Sequence, residues 1–211
     1  IIIPNSVISI GDSSFESCHS LEKIEIFDSV KSIGSCAFFD CSSIVSLKIP
    51  DSIKCINNST FSKCTSLKEI ELPKSLEKIG SLAFDRCIKL EKIDLPFSVK
   101  EIGDFAFNEC ESLTEINLPN FIKSIRESTF SCCTSLTKIF IPESVTSIEQ
   151  LSFSGCSALQ EISIPHLVTE IGHYSFHNCS SLNTVTFSIP SLLESIGNFA
   201  FSGCKELKQI E

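Results

Sequence analysis

The stretch Cys110–Phe130 reads CESLTEINLPNFIKSIRESTF. Its apolar residues fall at Leu113, Ile116 and Leu118, then at Ile122, Ile125 and Phe130. The next stretch repeats them as Leu136, Ile139, Ile141, Val145, Ile148 and Phe153. Ile116 and Leu118 stand two apart with polar Glu115 and Asn117 around them, the alternation of a half-buried strand. Pro119 then ends the ladder, because it has no amide to donate and its φ is fixed.

Outward from this stretch the register holds along the whole chain. Cysteines recur at Cys18, Cys41, Cys64, Cys87, Cys110, Cys133, Cys156, Cys179 and Cys204, with seven intervals of 23 residues and a last of 25. Phe15, Phe38, Phe61, Phe84, Phe107, Phe130, Phe153, Phe176 and Phe201 keep step three residues ahead of them. Pro closes the strand in every unit except the second, where Phe27 takes its place. A fixed period of this length means a solenoid, one supersecondary unit stacked on itself. Nine strands at about 4.8 Å spacing predict a sheet roughly 40 Å long. All nine in-register Cys and Phe residues are expected in two buried stacks.

Two finer expectations follow. Gly11, Gly34, Gly80, Gly103, Gly172 and Gly197 each follow the Ile of a second apolar pair, and suit a left-handed turn there. Asn57 holds that place in the third unit, with Arg126 and Glu149 less comfortable in theirs. From there to the Cys the chain is too short for more than a helical turn. The two extra residues before Pro190 keep Val185, Phe187 and Ile189 on one face, so they are expected to lengthen a strand without flipping it.

The pattern C-x-x-L-x-x-I-x-L-P-x-x-V-x-x-I-G-x-x-A-F, carried almost letter for letter by CIKLEKIDLPFSVKEIGDFAF from Cys87 to Phe107, resembles the BspA-like (Treponema-type, 23-residue) leucine-rich repeats. The resemblance covers essentially the whole chain. It implies a mainly β, right-handed, curved solenoid, with a parallel sheet on the concave face and short second strands or turns opposite. It also implies a non-catalytic, cell-surface or secreted adhesin-like protein that contacts host or matrix proteins and carries no cofactor.

Composition agrees with one solenoid domain spanning residues 1–211, read as a segment of a longer array because neither end offers the polar cap a solenoid needs. No 18-residue apolar run exists, so this segment is not expected to insert directly into a membrane. A net charge of −9 disfavours nucleic acid. Between Lys138 and Lys205 no Lys or Arg occurs, and five glutamates do.

The chemistry-bearing residues read mostly as structure. In-register cysteines should act as small buried hydrophobes with free thiols, since side chains in a parallel stack point the same way. Cys36, Cys55 and Cys132 lie off register, and no C-x-x-C pair suggests zinc. His173, His177 and Cys179 share a unit, with His166 nearby, but a ladder Cys faces away from at least one His, so no metal is expected. Sequons at Asn57, Asn58 and Asn178 permit glycosylation without arguing for it. No Ser, His and Asp arrangement recurs where a cleft would form, so no enzyme is expected.

The functional signal lies in the outward strand positions. One row reads Lys23, Ser46, Glu69, Lys92, Glu115, Lys138, Glu161, Thr184 and Gln209. Opposite charges side by side there are expected to satisfy one another, Lys92 and Glu115 among them. The second row reads Glu25, Lys48, Glu71, Asp94, Asn117, Phe140, Ser163, Thr186 and Glu211. Phe140 breaks its polarity, and Phe97 and Phe121, past the strand ends, stand where Ser or a charge is usual. An aromatic group rimmed by polar residues suits a protein-binding hot spot. The candidate protein-binding residues are therefore Phe140, Phe97, Phe121, Asn117, Lys92 and Glu115. Packing of Phe97 on Phe121 along the edge is the alternative.

Two functions stay open: a surface adhesin-like module, and an intracellular, cytoplasmic protein-interaction scaffold. The many free thiols favour the second.

Overall fold

The computed structural model describes residues 1–210, so Glu211 at the end of the second row lies outside them. Each 23-residue unit makes one turn of a three-sided coil. Parallel strands form the first side: Ser46–Lys48, Glu69–Glu71, Glu115–Asn117, Lys138–Phe140, Glu161–Ile164, Thr184–Phe187 and Gln209–Ile210. Single bridges Ile2↔Glu25 and Lys92↔Glu115 continue this side where no strand forms. Nine two-residue strands, from Ser9–Ile10 to Ser195–Ile196, form the second side. The third side is turns, and no helix occurs among the described residues. Register is one unit per step, as in Glu115↔Lys138 and Ser124↔Ser147.

Proline shapes the first corner. Its carbonyl accepts the amide three residues on, as Pro50 O does from Ile53 at 3.0 Å and Pro142 O from Val145 at 3.0 Å. Phe27 O accepts from Val30 in the same way at 3.0 Å, so the corner needs the carbonyl more than the ring.

The core is a set of one-residue-wide columns. Phe rings from Phe15 to Phe201 stack with centroids 5.2–5.6 Å apart and planes within 13°. The seven from Phe38 to Phe176 are wholly buried, and so are the in-register cysteines from Cys41 to Cys179. The expectation of nine buried pairs is corrected at both ends. Phe15, Phe201 and Cys204 are half-buried and Cys18 is exposed, because an end unit is covered from one side only.

All twelve cysteines are free. Each ladder thiol from Cys41 onward donates to the carbonyl of the Phe in the unit before, as Cys64 does to Phe38 O and Cys110 to Phe84 O, both at 3.2 Å. That carbonyl also accepts the amide three residues on, as Phe38 O does from Cys41 N at 3.2 Å, so the thiol adds a second donor to an acceptor already in use.

The glycine expectation is overturned. Gly34, Gly80 and Gly103 have no positive φ; they are required by close approach. A Cβ on Gly103 would lie 2.4 Å from Ser81 N and 2.7 Å from Gly80 C in the preceding unit. Where a side chain does stand there, it reaches back to that unit: Asn57 Nδ2 donates to Ile33 O at 2.6 Å, and Arg126 meets Glu101 at 3.5 Å. The left-handed residues come two and six places later, such as Leu82 and Arg86, or Phe105 and Glu109, with φ of 55–59°. Their reason is hydrogen bonding along the third side. Phe105 N donates to Glu127 O, Phe107 N to Thr129 O and Glu109 N to Ser131 O, all at 2.8–2.9 Å. Alternating the backbone hand turns three alternate amides toward the next unit, so the turn side is laddered as fully as the strands. Replacing Gly103 by Ala forces backbone apart and should cost about 1–3 kcal/mol in urea denaturation. An unchanged midpoint would mean the units separate without cost.

The insertion also differs from expectation. Thr184–Phe187 pairs residue for residue with Glu161–Ile164 and is no longer than it. The extra length leaves as a loop, with Ile189 95 % exposed before a cis Ile189–Pro190 bond. The preceding strand offers no further partner to extend on, so added residues bulge instead of pairing.

Candidate functional site

The outward positions of the first side form one continuous face. Inward Leu47, Ile70, Ile116, Ile139 and Ile162 fill the core, so alternation leaves polar residues on the outer surface. Over the first five units this face is hollowed into an open depression of about 820 Å³, whose lining includes Lys23, Glu25, Ser46, Glu69, Lys92 and Asp94. Lys92 is thus the candidate residue that borders this depression. Glu115, Asn117 and Phe140 lie beyond it, on two strands paired Lys138↔Glu115, Ile139↔Ile116 and Phe140↔Asn117.

Phe140 is 62 % exposed, and no ring stacks on it among the described residues. The three candidate phenylalanines do not share a pocket. Phe121 lines a separate depression of about 290 Å³ with Lys54, Ser75, Glu77, Ser98 and Lys100 on the second side. It occupies a ridge position where other units place a serine that clamps the unit below, as Ser98 Oγ donates to Lys74 O at 2.7 Å and Ser144 Oγ to Ile122 O at 2.6 Å. Phe97 protrudes from the corner turn, 81 % exposed. Phe97 and Phe121 form no ring pair among the described residues, so their mutual packing along the edge is not what the structure has.

The charge rows are less self-complementary than their order suggests. Lys92 Nζ pairs with Asp94 of its own unit at 3.2 Å, and not with Glu115. Lys48 pairs with Glu71 at 3.0 Å and Lys138 with Glu161 at 3.7 Å. Among the described residues of the two rows, Lys23, Glu25, Glu69 and Glu115 have no ionic partner within 4.0 Å. Neighbouring charges across parallel strands have a choice of partner, and residue order does not fix it.

Two histidines of the eighth unit are held by backbone, while His177 Nε2 meets the Asn178 side-chain amide at 3.0 Å. His173 Nδ1 accepts from Asn198 N at 2.7 Å, and His166 Nδ1 is bonded to Pro190 O. Cys179 points inward and donates to Phe153 O at 3.1 Å.

One feature of the surface escapes a reading by rows of strands. Leu82, Tyr174 and Phe199 are exposed on the turn side, at left-handed positions two residues after the glycine. Tyr174 stacks on Phe199 at 5.0 Å. Its signal in the sequence is a bulky side chain where Ser13, Ser59 and Ser128 stand in other units.

Comparison with known proteins agrees with this architecture. The chain matches the BspA type Leucine rich repeat region over residues 1–100 and 77–208, in six copies. A leucine-rich repeat protein from Bacteroides ovatus is 32 % identical over all of this chain and 62 % of its own, with a TM-score of 0.84. The leucine-rich repeat protein of T. pallidum is 30 % identical over 75 % of this chain and 77 % of its own, with a TM-score of 0.70. A leucine-rich repeat protein from Eubacterium ventriosum, 20 % identical over 96 % of this chain and 64 % of its own, shares the fold with a TM-score of 0.68. The chain therefore spans less than two thirds of the Bacteroides protein. No match is found among curated proteins. On repeat pattern, fold and identity together, the chain belongs to the BspA-type leucine-rich repeat family.

Proposed function

We propose that this chain is a non-catalytic protein-binding module whose partner lies along the first side, with Phe140 as its anchor. The observation that carries the reading is a 62 %-exposed aromatic ring on an outward strand row otherwise made of polar groups. Nothing in the core needs it: Ile139 fills the inward position beside it, and Asn117 and Ser163 serve in neighbouring units. Aromatic residues rimmed by polar ones are where binding energy concentrates. Phe97, protruding at the corner beyond the strand ends, would serve as a secondary contact, while Phe121 faces the second side and would meet only a partner that wraps the corner.

On location, the family resemblance supports a cell-surface or secreted protein that adheres to host or matrix proteins. A specific observation favours the second reading, an intracellular scaffold: twelve cysteines, all free, suit a reducing compartment. Fractionation of cells that express the natural gene separates the two.

Phe140→Ser is expected to leave the melting temperature within about 2 °C of wild type, since an exposed side chain contributes little to stability. The same change should weaken the partner by more than about 1 kcal/mol. Wild-type and variant chains, immobilised side by side, would identify proteins retained by one and lost from the other. A melting point lowered by several degrees would make Phe140 structural and remove the support for this face.

A further inference from the structure

We propose that Glu115 and Phe140 together form a receptor for an arginine side chain of the protein partner. The assignment rests on the reading of the first side as the binding face, and deepens it by naming what the partner presents there.

The argument begins with a carboxylate left free between two lysines. Glu115 stands on the backbone ladder between Lys92 and Lys138, the two cations that could neutralise it. Lys92 turns along its own strand to Asp94 at 3.2 Å, and Lys138 turns away to Glu161 at 3.7 Å. Glu115 is exposed and has no ionic partner among the described residues. An ion-pairing group is therefore available at this point, and its sign calls for a cation from outside.

The second element is the ring. Phe140 is opposite Asn117, two residues along from Glu115 on the adjacent strand. One strand across and two residues along places their Cα atoms about 8 Å apart. Both side chains leave the same face, so the ring and the carboxylate flank one volume. A guanidinium fits it on three counts. It is planar and stacks on an aromatic face, attracted by the ring quadrupole within about 6 Å of the centroid. Its remaining N–H groups form a fork that matches a carboxylate bidentately. It is also weakly hydrated, so leaving water for an apolar ring costs less than for an ammonium. Asn117, whose side chain makes no protein hydrogen bond among the described residues, offers an amide oxygen beside them. The charge of the wider face agrees in sign: its unpaired groups are Glu25, Glu69 and Glu115 against Lys23 alone.

The test is an NMR titration of the 15N-labelled chain at low salt with three synthetic peptides. They are acetyl-Gly-Ser-Thr-Arg-Leu-Ser-Gly-amide and its versions with lysine or citrulline in place of arginine. The arginine peptide should shift the amides of residues 115–117 and 138–140. Citrulline keeps the shape of arginine and removes its charge, and should bind about fivefold more weakly. Glu115→Gln and Phe140→Leu should each lower affinity for the arginine peptide about three- to fivefold. Phe140→Trp should retain or tighten it, because the indole face is the better cation partner. Phe140→Leu keeps an apolar side chain, so its loss isolates the ring.

Equal binding of the arginine and citrulline peptides, or wild-type affinity in Phe140→Leu, would overturn the assignment. If the citrulline peptide shifts the same amides as strongly, the arginine receptor falls while the binding face stands. Shifts confined to other sides of the coil, or none at about 10 mM peptide, would overturn the receptor; the first of these would also count against the face.

Discussion

Raising the pH from 8 to 11 in the presence of reductant should unfold this protein cooperatively, with the midpoint between about pH 9.5 and 11. The cause is the thiol column. Burial pushes the Cys41 thiol from its ordinary 9.0 up to about 11. Burial also raises Cys64, Cys87, Cys110, Cys133 and Cys156, each well above the same starting value.

For these groups the folded value exceeds the unfolded one. Their contribution is fully present below the unfolded value near 9, and is lost as pH rises toward the folded values. Above pH 9 the unfolded chain releases protons that the native column retains. Each such thiol tilts the equilibrium toward unfolding by about 1.4 kcal/mol per pH unit. Six acting together give roughly 8 kcal/mol per pH unit, comparable to the whole stability of a typical domain. The exposed ion pairs of the surface are worth little beside this. Cys110→Ala provides the control: the slope of unfolding free energy against pH should fall by about 1.4 kcal/mol per unit. Urea midpoints that stay level from pH 8 to 10 would show that the thiols do not report the folded state.

The period made the fold legible because a solenoid repeats side-chain direction along with residue type. Their shared register alone puts Ile116 and Ile139 on one inward column, and they are paired there. Glycine was legible as a marker and misread as a cause. The residue serves both positive φ and close approach, and sequence alone does not separate them. Gly103 is needed because a Cβ there would lie 2.4 Å from Ser81 N, while the left-handed φ falls on Phe105, which no propensity would nominate. That hand is imposed by the inter-unit ladder, a non-local demand.

The binding site divides in the same way. Phe140 was visible because eight other units define what its column should hold. The direction taken by Phe121, toward Ser98 and Lys100 on the second side, depends on the shape of a corner and not on its column. The freedom of Glu115 was hidden for another reason. Lys92 and Lys138 each had two carboxylates within reach, and differences of a few tenths of a kcal/mol decide between them.

Phe107→Ala should cost about 3–5 kcal/mol in chemical denaturation, the price of emptying a large core site. Phe107 is wholly buried and lies between Phe84 at 5.4 Å and Phe130 at 5.6 Å, with planes within 5° of both. The column cannot close over the gap, because each unit is also held at a fixed spacing by amides such as Phe107 N to Thr129 O at 2.9 Å. A cavity that cannot relax belongs at the upper end of the range. The size of the effect should depend on place in the array. Solenoid stability is close to a sum of unit and nearest-neighbour terms, so a central ring counts in two interfaces and an end ring in one. Phe201, half-buried and stacked only on Phe176 at 5.2 Å among the described residues, should therefore cost about half as much when replaced by Ala. A loss below about 1 kcal/mol at Phe107 would contradict the buried stack. Equal losses at Phe107 and Phe201 would keep the stack and contradict its additivity.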